Sequence, residues 1–452
     1  MKTNTNPGVI RTVLVGSNVF KNLPPVIDPA VQGVIFKSAE NDMPFQIGFD
    51  RHLSRGLLLL GGTGSGKSNV YMHMLDTVLE VLRQQDLLLV FDPKGEFLEQ
   101  IKKAGRGDDI VLISTDPADS KITRHWNIFE GLLLAETAQE MELQAREISR
   151  ALFAEHIEKS HQPFFGIAAS DIFTAALLDF LRTAKATGDY SRLNNQQLVR
   201  FFQYAALDDY HAMIDRNPDF QYLKTYIGKK GNEMSPQSLG VLGILNSVIN
   251  TILVGPFGKS GRPFSMARLT RERTSPRGTI VVLKYNLRHS QILETVYSLL
   301  ISDFIKQTLA LGEKTDAKTY LFLDELALIP YLSNLDQAAN FGRSRGIRLI
   351  AGLQSYSQLK EKYGDQALPI ASGFSNCIAM RCVDEESRNY ISGRFGKAFE
   401  NLTYAGQNIH REAYAVGDAE QRELSVGEAI IDLCDAPAFR FRFRKHDQEE
   451  QQ

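Results

Sequence analysis

Gly61-Gly62-Thr63-Gly64-Ser65-Gly66-Lys67-Ser68 is the stretch from which the rest of this sequence is read. Gly56 and four leucines, Leu57 to Leu60, precede it, and a stretch of helical character, Asn69 to Arg83, follows it. Strand, glycine-rich loop and helix in that order give the P-loop spelling G-x-x-x-x-G-K-[ST] the context it requires. Glycines let the backbone curl until consecutive N–H groups face one phosphate chain. The helix that follows adds the partial positive charge of its N-terminus. Lys67 is placed to reach the β- and γ-phosphates, and Ser68 to ligate Mg²⁺. The reading therefore sets Gly61, Gly62, Thr63, Gly64, Ser65, Gly66, Lys67, Ser68 and the adjoining Asn69 around ATP.

Composition bounds what surrounds this site. A chain of 452 residues is long enough for two or more domains with sizeable cores. Its hydrophobic content of 43% and charged content of 23% are those of a soluble globular protein. A formal net charge of −2 gives no bulk signal for nucleic acid, although such averaging would hide a local basic channel. Cys377, Cys382 and Cys434 have neither C-x-x-C spacing nor paired histidines, so they read as reduced thiols of a cytosolic protein rather than zinc ligands. The N-terminus lacks an apolar signal core, and no run of about 18 uncharged apolar residues occurs. The expectation is a soluble, cytoplasmic chain with no transmembrane segment.

Along the chain, residues 1–50 hold short extended stretches, Gly33 to Phe36 and Phe45 to Phe49, with Pro24-Pro25 between them and the N-terminus. They read as a β-rich lead-in beside the nucleotide site. Asp86 to Phe91 is a nearly continuous apolar run, as for a strand buried on both faces of a parallel sheet. It ends in Asp92-Pro93-Lys94-Gly95-Glu96, and Asp109 to Ser114 is a third strand. From about Ala135 helical periodicity takes over, for example at Met141 to Phe153 and Ala168 to Leu181. Strand signals return only at Gly278 to Leu283. A long helix near Gln291 to Leu311 precedes strands at Thr319 to Leu323, Arg348 to Leu353 and Cys377 to Cys382. Phe439-Arg440-Phe441-Arg442-Phe443-Arg444 alternates with period two, as for a strand with one buried face. The polar tail after Lys445 reads as frayed. Strands alternating with helices predict an α/β fold around the P-loop, with an inserted all-α domain. Its parts are residues 1–150, the all-α domain 151–260, and residues 261–452.

Three further groups carry chemistry. Leu321-Phe322-Leu323-Asp324-Glu325 is an apolar strand ending in two acids. Behind a P-loop, Asp324 is expected to help hold Mg²⁺ and Glu325 to polarise the attacking water, which favours hydrolysis over phosphate transfer to a small molecule. Gln354 ends the next strand, where ligands of such sheets sit, and is placed to sense the γ-phosphate or position water. Gly342-Arg343-Ser344-Arg345-Gly346 puts arginines between those strands, and a planar permanent cation suits transition-state phosphate. Arg343 is the first choice for that part and Arg345 the second.

The P-loop, Asp92 to Glu96, Trp126-Asn127-Ile128-Phe129, Leu323-Asp324-Glu325, Gly342 to Gly346 and Leu353-Gln354-Ser355 occur in that order. In that order they resemble the cytosolic part of the type IV secretion coupling proteins, the conjugative DNA-transfer ATPases of the FtsK–HerA superfamily. The resemblance runs from about residue 40 to the C-terminus, and the helical insertion with Pro163-Phe164-Phe165-Gly166 is similar in placement to the family's all-α domain. It implies a RecA-like P-loop nucleotide-binding domain split by the all-α domain, and a DNA-stimulated ATP hydrolysis that moves single- or double-stranded DNA through a homo-hexameric ring. It also implies an Arg343 that acts on a neighbour's nucleotide and a Gln354 matching the family's glutamine after the acidic pair. Lys229-Lys230 and Arg271 to Arg277 are candidate DNA contacts beside their plain reading as solvated loops. Partners by resemblance are a relaxase, a secretion channel or a nuclease. The family usually begins with transmembrane helices and this chain shows none, which leaves a truncated, membrane-associated protein or a soluble relative in DNA processing or phage defence. The alternative function is a nucleotide-controlled platform that recruits a relaxase, effector or nuclease without pumping DNA.

Overall fold

The computed structural model describes residues 2–6, 9–21, 27–230, 233–312, 316–329 and 331–446. Pro24-Pro25 and the end of the polar tail lie outside them. The chain divides into two compact units. One comprises Met1–Ile110, Thr274–Ile280 and Thr308–Gln452; the other comprises Val111–Arg273 and Val281–Gln307.

The first unit is built on strands in the order Ala436–Arg442, Glu428–Leu433, Asn376–Met380, Leu57–Leu60, Ile347–Leu353, Thr319–Leu323 and Leu87–Asp92. From Asn376–Met380 to Leu87–Asp92 neighbours run parallel, and the two C-terminal strands add antiparallel pairs at one side. All residues of the five parallel strands are buried. That is why they read as continuous apolar runs with no alternation: both faces of the sheet are covered. Leu60 stands opposite Leu353, and Leu323 lies between Ala351 and Phe91. This register brings the carboxyl ends of the strands level, and every predicted catalytic group except Arg343 follows one of those ends.

The Phe-Arg alternation at the C-terminus has its physical reason in an aromatic cluster. Phe439, Phe441 and Phe443 are buried, whereas Arg442 is exposed. Phe45 meets Phe441 with ring centroids 4.6 Å apart, and Phe36 meets Phe443 at 5.1 Å. Gly33–Lys37 and Pro44–Gly48 pair as an antiparallel hairpin that supplies those two phenylalanines. A separate antiparallel sheet runs Lys2–Asn6, Val9–Gly16, Lys397–Tyr404 and Gln407–Tyr414. The sequence reading has no strand at the last two. Gln407–Tyr414 is almost wholly exposed, so no buried face imposes alternation on it.

The second unit is mainly helical, with Ala138–Leu152, Pro163–Thr187, Asn195–Tyr204, Leu207–Asp215 and Pro236–Ile252 as main helices. Pro163–Thr187 is, among the described residues, the one helix long and apolar enough to cross a membrane, and 83% of its most apolar window is buried. It is the core helix of this unit, and it carries Asp171 and Asp179 in ion pairs with Arg150 and Arg216. Strands absent from the sequence reading occur here too: Lys229–Lys230 with Glu233–Met234, and His125–Trp126 beside Pro263–Phe264. Each is two residues long, too short for a period to register. The Trp126-Asn127-Ile128-Phe129 motif has a structural task. Asn127 accepts from the Phe129 N–H at 3.1 Å and donates to the Leu193 carbonyl at 2.9 Å. Asn195, fully buried, donates to the carbonyls of Trp126 and Phe257 at 2.8 and 2.7 Å and accepts from Ile128.

Candidate nucleotide site

The loop after Leu60 takes the shape its glycines permit. Gly64 and Gly66 have φ of 73° and 112°, the left-handed side that side chains disfavour. A Cβ on Gly61 would come within 2.7 Å of both Met380 and Ser65, so the backbone passes closer there than a side chain permits. The helix Lys67–Val81 starts directly after Gly66. Its Tyr71 is buried with its hydroxyl 3.4 Å from the Leu323 carbonyl, which ties the helix to the acidic strand. The Lys67 ammonium donates to the loop's own carbonyls, Gly61 O and, at 3.4 Å, Gly62 O. Burial pushes its pKa down, and Glu325 and Asp324 oppose that shift.

Asp324 and Glu325 leave the Thr319–Leu323 strand beside the loop, both 6% exposed. Burial raises Asp324 to about 6, against the pull of Lys94 and Lys67. Burial also raises Glu325, opposed by Lys67 and by the Gln354 amide beside it. One carboxylate oxygen of Glu325 and the hydroxyl of Ser65 are buried with no hydrogen-bond partner among the described residues. Gln354, after Ile347–Leu353, accepts from the Thr63 hydroxyl at 2.9 Å, and its amide lies beside Glu325.

The structure therefore brings together Lys67, Asp324, Glu325, Gln354 and Thr63. Ser68 joins them through Lys94, whose ammonium lies 3.5 Å from the Ser68 hydroxyl. Lys94 has no role in the sequence reading, although its motif is quoted there. Asp92 holds it in place by accepting from the N–H groups of Gly95 at 2.7 Å and Leu98 at 2.8 Å. Asn69 is in the first turn of the helix, but its side chain pairs with Arg444 and His446.

Arg343 stands apart. It is exposed on the short turn Gly342–Arg345 that precedes Ile347–Leu353, beside the Leu53–Arg55 turn that precedes Leu57–Leu60. Both turns sit where the strands begin, at the opposite end from the loop. Its two neighbouring arginines are committed: Arg345 donates to the Leu311 carbonyl, and Arg348 is buried and pairs with Asp50 at 2.6 Å.

The donor set fits a nucleoside triphosphate and a divalent cation. A curled loop with left-handed glycines, a buried ammonium held by loop carbonyls, two buried acids and polar atoms orphaned among the described residues converge on one space. Ser68 and Asp324 are hard oxygen ligands of the kind Mg²⁺ takes.

Fold and site together define a P-loop protein of the FtsK–HerA type. The family model for the type IV secretion-system coupling protein DNA-binding domain matches residues 43–442, and the chain belongs to that family. It is similar to the coupling protein TraD of Escherichia coli (strain K12), 21% identical over 381 residues, 82% of this chain and 48% of TraD. It is similar also to the coupling protein VirD4 of Bartonella quintana (strain Toulouse), 22% identical over 362 residues, 76% of this chain and 54% of VirD4. The chain thus spans about half the length of the curated relatives it matches. The solved structure of plasmid coupling protein TrwB in complex with ADP and Mg²⁺ aligns with a TM-score of 0.69 at 18% identity, over 96% of this chain and 94% of that one. At that identity the likeness establishes the fold, an α/β P-loop core with a helical part.

Proposed function

We propose that this chain hydrolyses ATP and uses the energy to move DNA, as a ring of six copies. The observation that supports it most is the convergence of Lys67, Asp324, Glu325 and Gln354 on the loop, in a member of a coupling-protein family named for DNA binding. In this reading the loop N–H groups and Lys67 hold the β- and γ-phosphates. Ser68 and Asp324 hold Mg²⁺, which neutralises charge on the phosphates when bound. Glu325 accepts a proton from the attacking water, and Gln354 orients that water or senses the γ-phosphate. Arg343 reaches a neighbour's nucleotide, which requires a heterologous ring. DNA is held by its backbone, with little sequence preference. The domain division at 150 and 260, a cytoplasmic place of action, and a relaxase, secretion channel or nuclease as partner belong to the same proposal. TrwB, solved with ADP and Mg²⁺ and with an ATP analogue, lends support by its fold.

The test is ATPase activity with and without DNA, beside Glu325→Gln. The amide keeps the shape and loses the base, so the variant should bind MgATP and turn over at least about a hundredfold more slowly. Turnover that rises with DNA, and six-membered rings with DNA in the pore in electron micrographs, are the expected results. ATPase activity indifferent to DNA would replace the motor with the recruitment platform.

A further inference from the structure

The first turn of the helix behind the phosphate loop is bound to a part of the chain 375 residues away. The Asn69 carboxamide donates to the Arg444 carbonyl at 2.9 Å, and the His446 backbone N–H donates to Asn69 Oδ1 at 2.7 Å. One side chain thus pairs with a strand end as a neighbouring backbone would. His73, one turn on, places Nε2 3.2 Å from the same Arg444 carbonyl. The His446 ring pairs with Asp76, whose other oxygen accepts from Gln100 at 2.8 Å. A second tie is made to the loop itself. The Gly427 N–H donates to the Ser65 carbonyl at 2.9 Å, and Gly427 O accepts from Phe443 at 2.8 Å. A Cβ on Gly66 would come within 3.1 Å of the Gly427 backbone, so the two glycines meet with no room for a side chain. Loop and helix start are therefore strapped from one side by Gly427 and Phe443–His446.

We infer that Asn69 is a positioning residue, which with Gly427 and Phe443–His446 holds the loop in its nucleotide-ready shape and does not itself contact the nucleotide. The Asn69 oxygen and nitrogen both face the C-terminal strand end rather than the phosphates. A strap of this kind acts through pre-organisation: if only a fraction of empty loops is competent, apparent affinity falls by that fraction. The inference rests on the nucleotide reading of the site.

The experiment measures MgADP affinity by calorimetry on the full chain, with Tm recorded beside it. His446→Pro removes the N–H given to Asn69, and His446→Ala keeps it while also losing the ring. MgADP should bind His446→Pro about three- to tenfold more weakly than His446→Ala, the size of one hydrogen bond. Asn69→Ala should weaken binding by a similar factor, raise KM and leave kcat unchanged. In the Asn69→Ala background the gap between the two His446 variants should close. A gap of the same size in that background, or equal affinities with only Tm differing, overturns the inference. So does an Asn69→Ala loss with no gap at His446, which would place Asn69 on the nucleotide. Wild-type protein that fails to bind MgADP overturns the nucleotide reading as well, which separates the two failures.

Discussion

Replacing Arg343 by alanine probes a distance that the fold imposes. Arg343 precedes the strand Ile347–Leu353, and Leu353 stands level with Leu60, the residue before the phosphate loop. Six residue steps along that strand span about 20 Å, and an arginine side chain reaches about 7 Å from its Cα. Arg343 therefore falls short of its own chain's nucleotide by more than 10 Å on the order of these lengths. Any action on transition-state phosphate has to be on a neighbouring copy. Arginine fingers are worth about 10³–10⁵ in rate in other nucleotide hydrolases. Arg343→Ala should bind ATP like the wild type and turn over slower by a factor in that range. Co-assembly with Lys67→Ala separates neighbour from self. If the arginine acts across the interface, an Arg343→Ala subunit holding ATP beside a Lys67→Ala subunit that supplies Arg343 makes an intact site. Roughly a quarter of interfaces in a random heterologous ring are of this kind. Activity should return on mixing two inactive proteins. Mixed rings that form, permit single-site firing and still show no turnover would refute the argument, as would full activity of Arg343→Ala alone. Arg345 is not a ready substitute, because the Leu311 carbonyl already engages it.

Other expectations follow from burial and charge. Lys67→Ala should stay folded by circular dichroism and lose nearly all ATPase activity; near-normal turnover would remove the catalytic assignment. Cys377 and Cys382 are buried, and burial pushes their thiols up to about 11 and about 12, so at pH 8 a thiol reagent should modify Cys434 alone in the native protein. Rapid labelling of all three before denaturant is added would show that the strand end beside the loop opens readily. Glu400 is fully buried and accepts from Arg11 and, at 2.9 Å, from Arg411. Glu400→Ala should destabilise the fold by about 3 kcal/mol in denaturant unfolding, as for breaking a buried ion pair; a loss below about 0.5 kcal/mol would mean solvent takes over Arg11 without cost.

The sequence by itself determined the chemistry that is local in the chain. Loop geometry depends on glycines at fixed offsets, and Lys67 and Ser68 need only the helix that begins with them. Buried parallel strands announce themselves as apolar runs because both faces are covered, which made Leu57–Leu60, Leu87–Asp92 and Thr319–Leu323 legible, together with the acids at the end of the last. The Phe-Arg alternation of the C-terminal strand was legible because one of its faces is buried in aromatic contacts. Gln407–Tyr414 gave no such sign, since neither face is buried. Tertiary structure alone decided which residues meet across long stretches of chain. Only packing sets Lys94 over Ser68, the Gln354 amide beside Thr63 and Glu325, Gly427 against Gly66, and Asn69 on the C-terminal strand end. Arg343 stands out in the sequence for its charge and its place between two strands. Its position at the starting end of a sheet whose chemistry sits at the other end follows from strand direction, because parallel strands put every carboxyl terminus on one side.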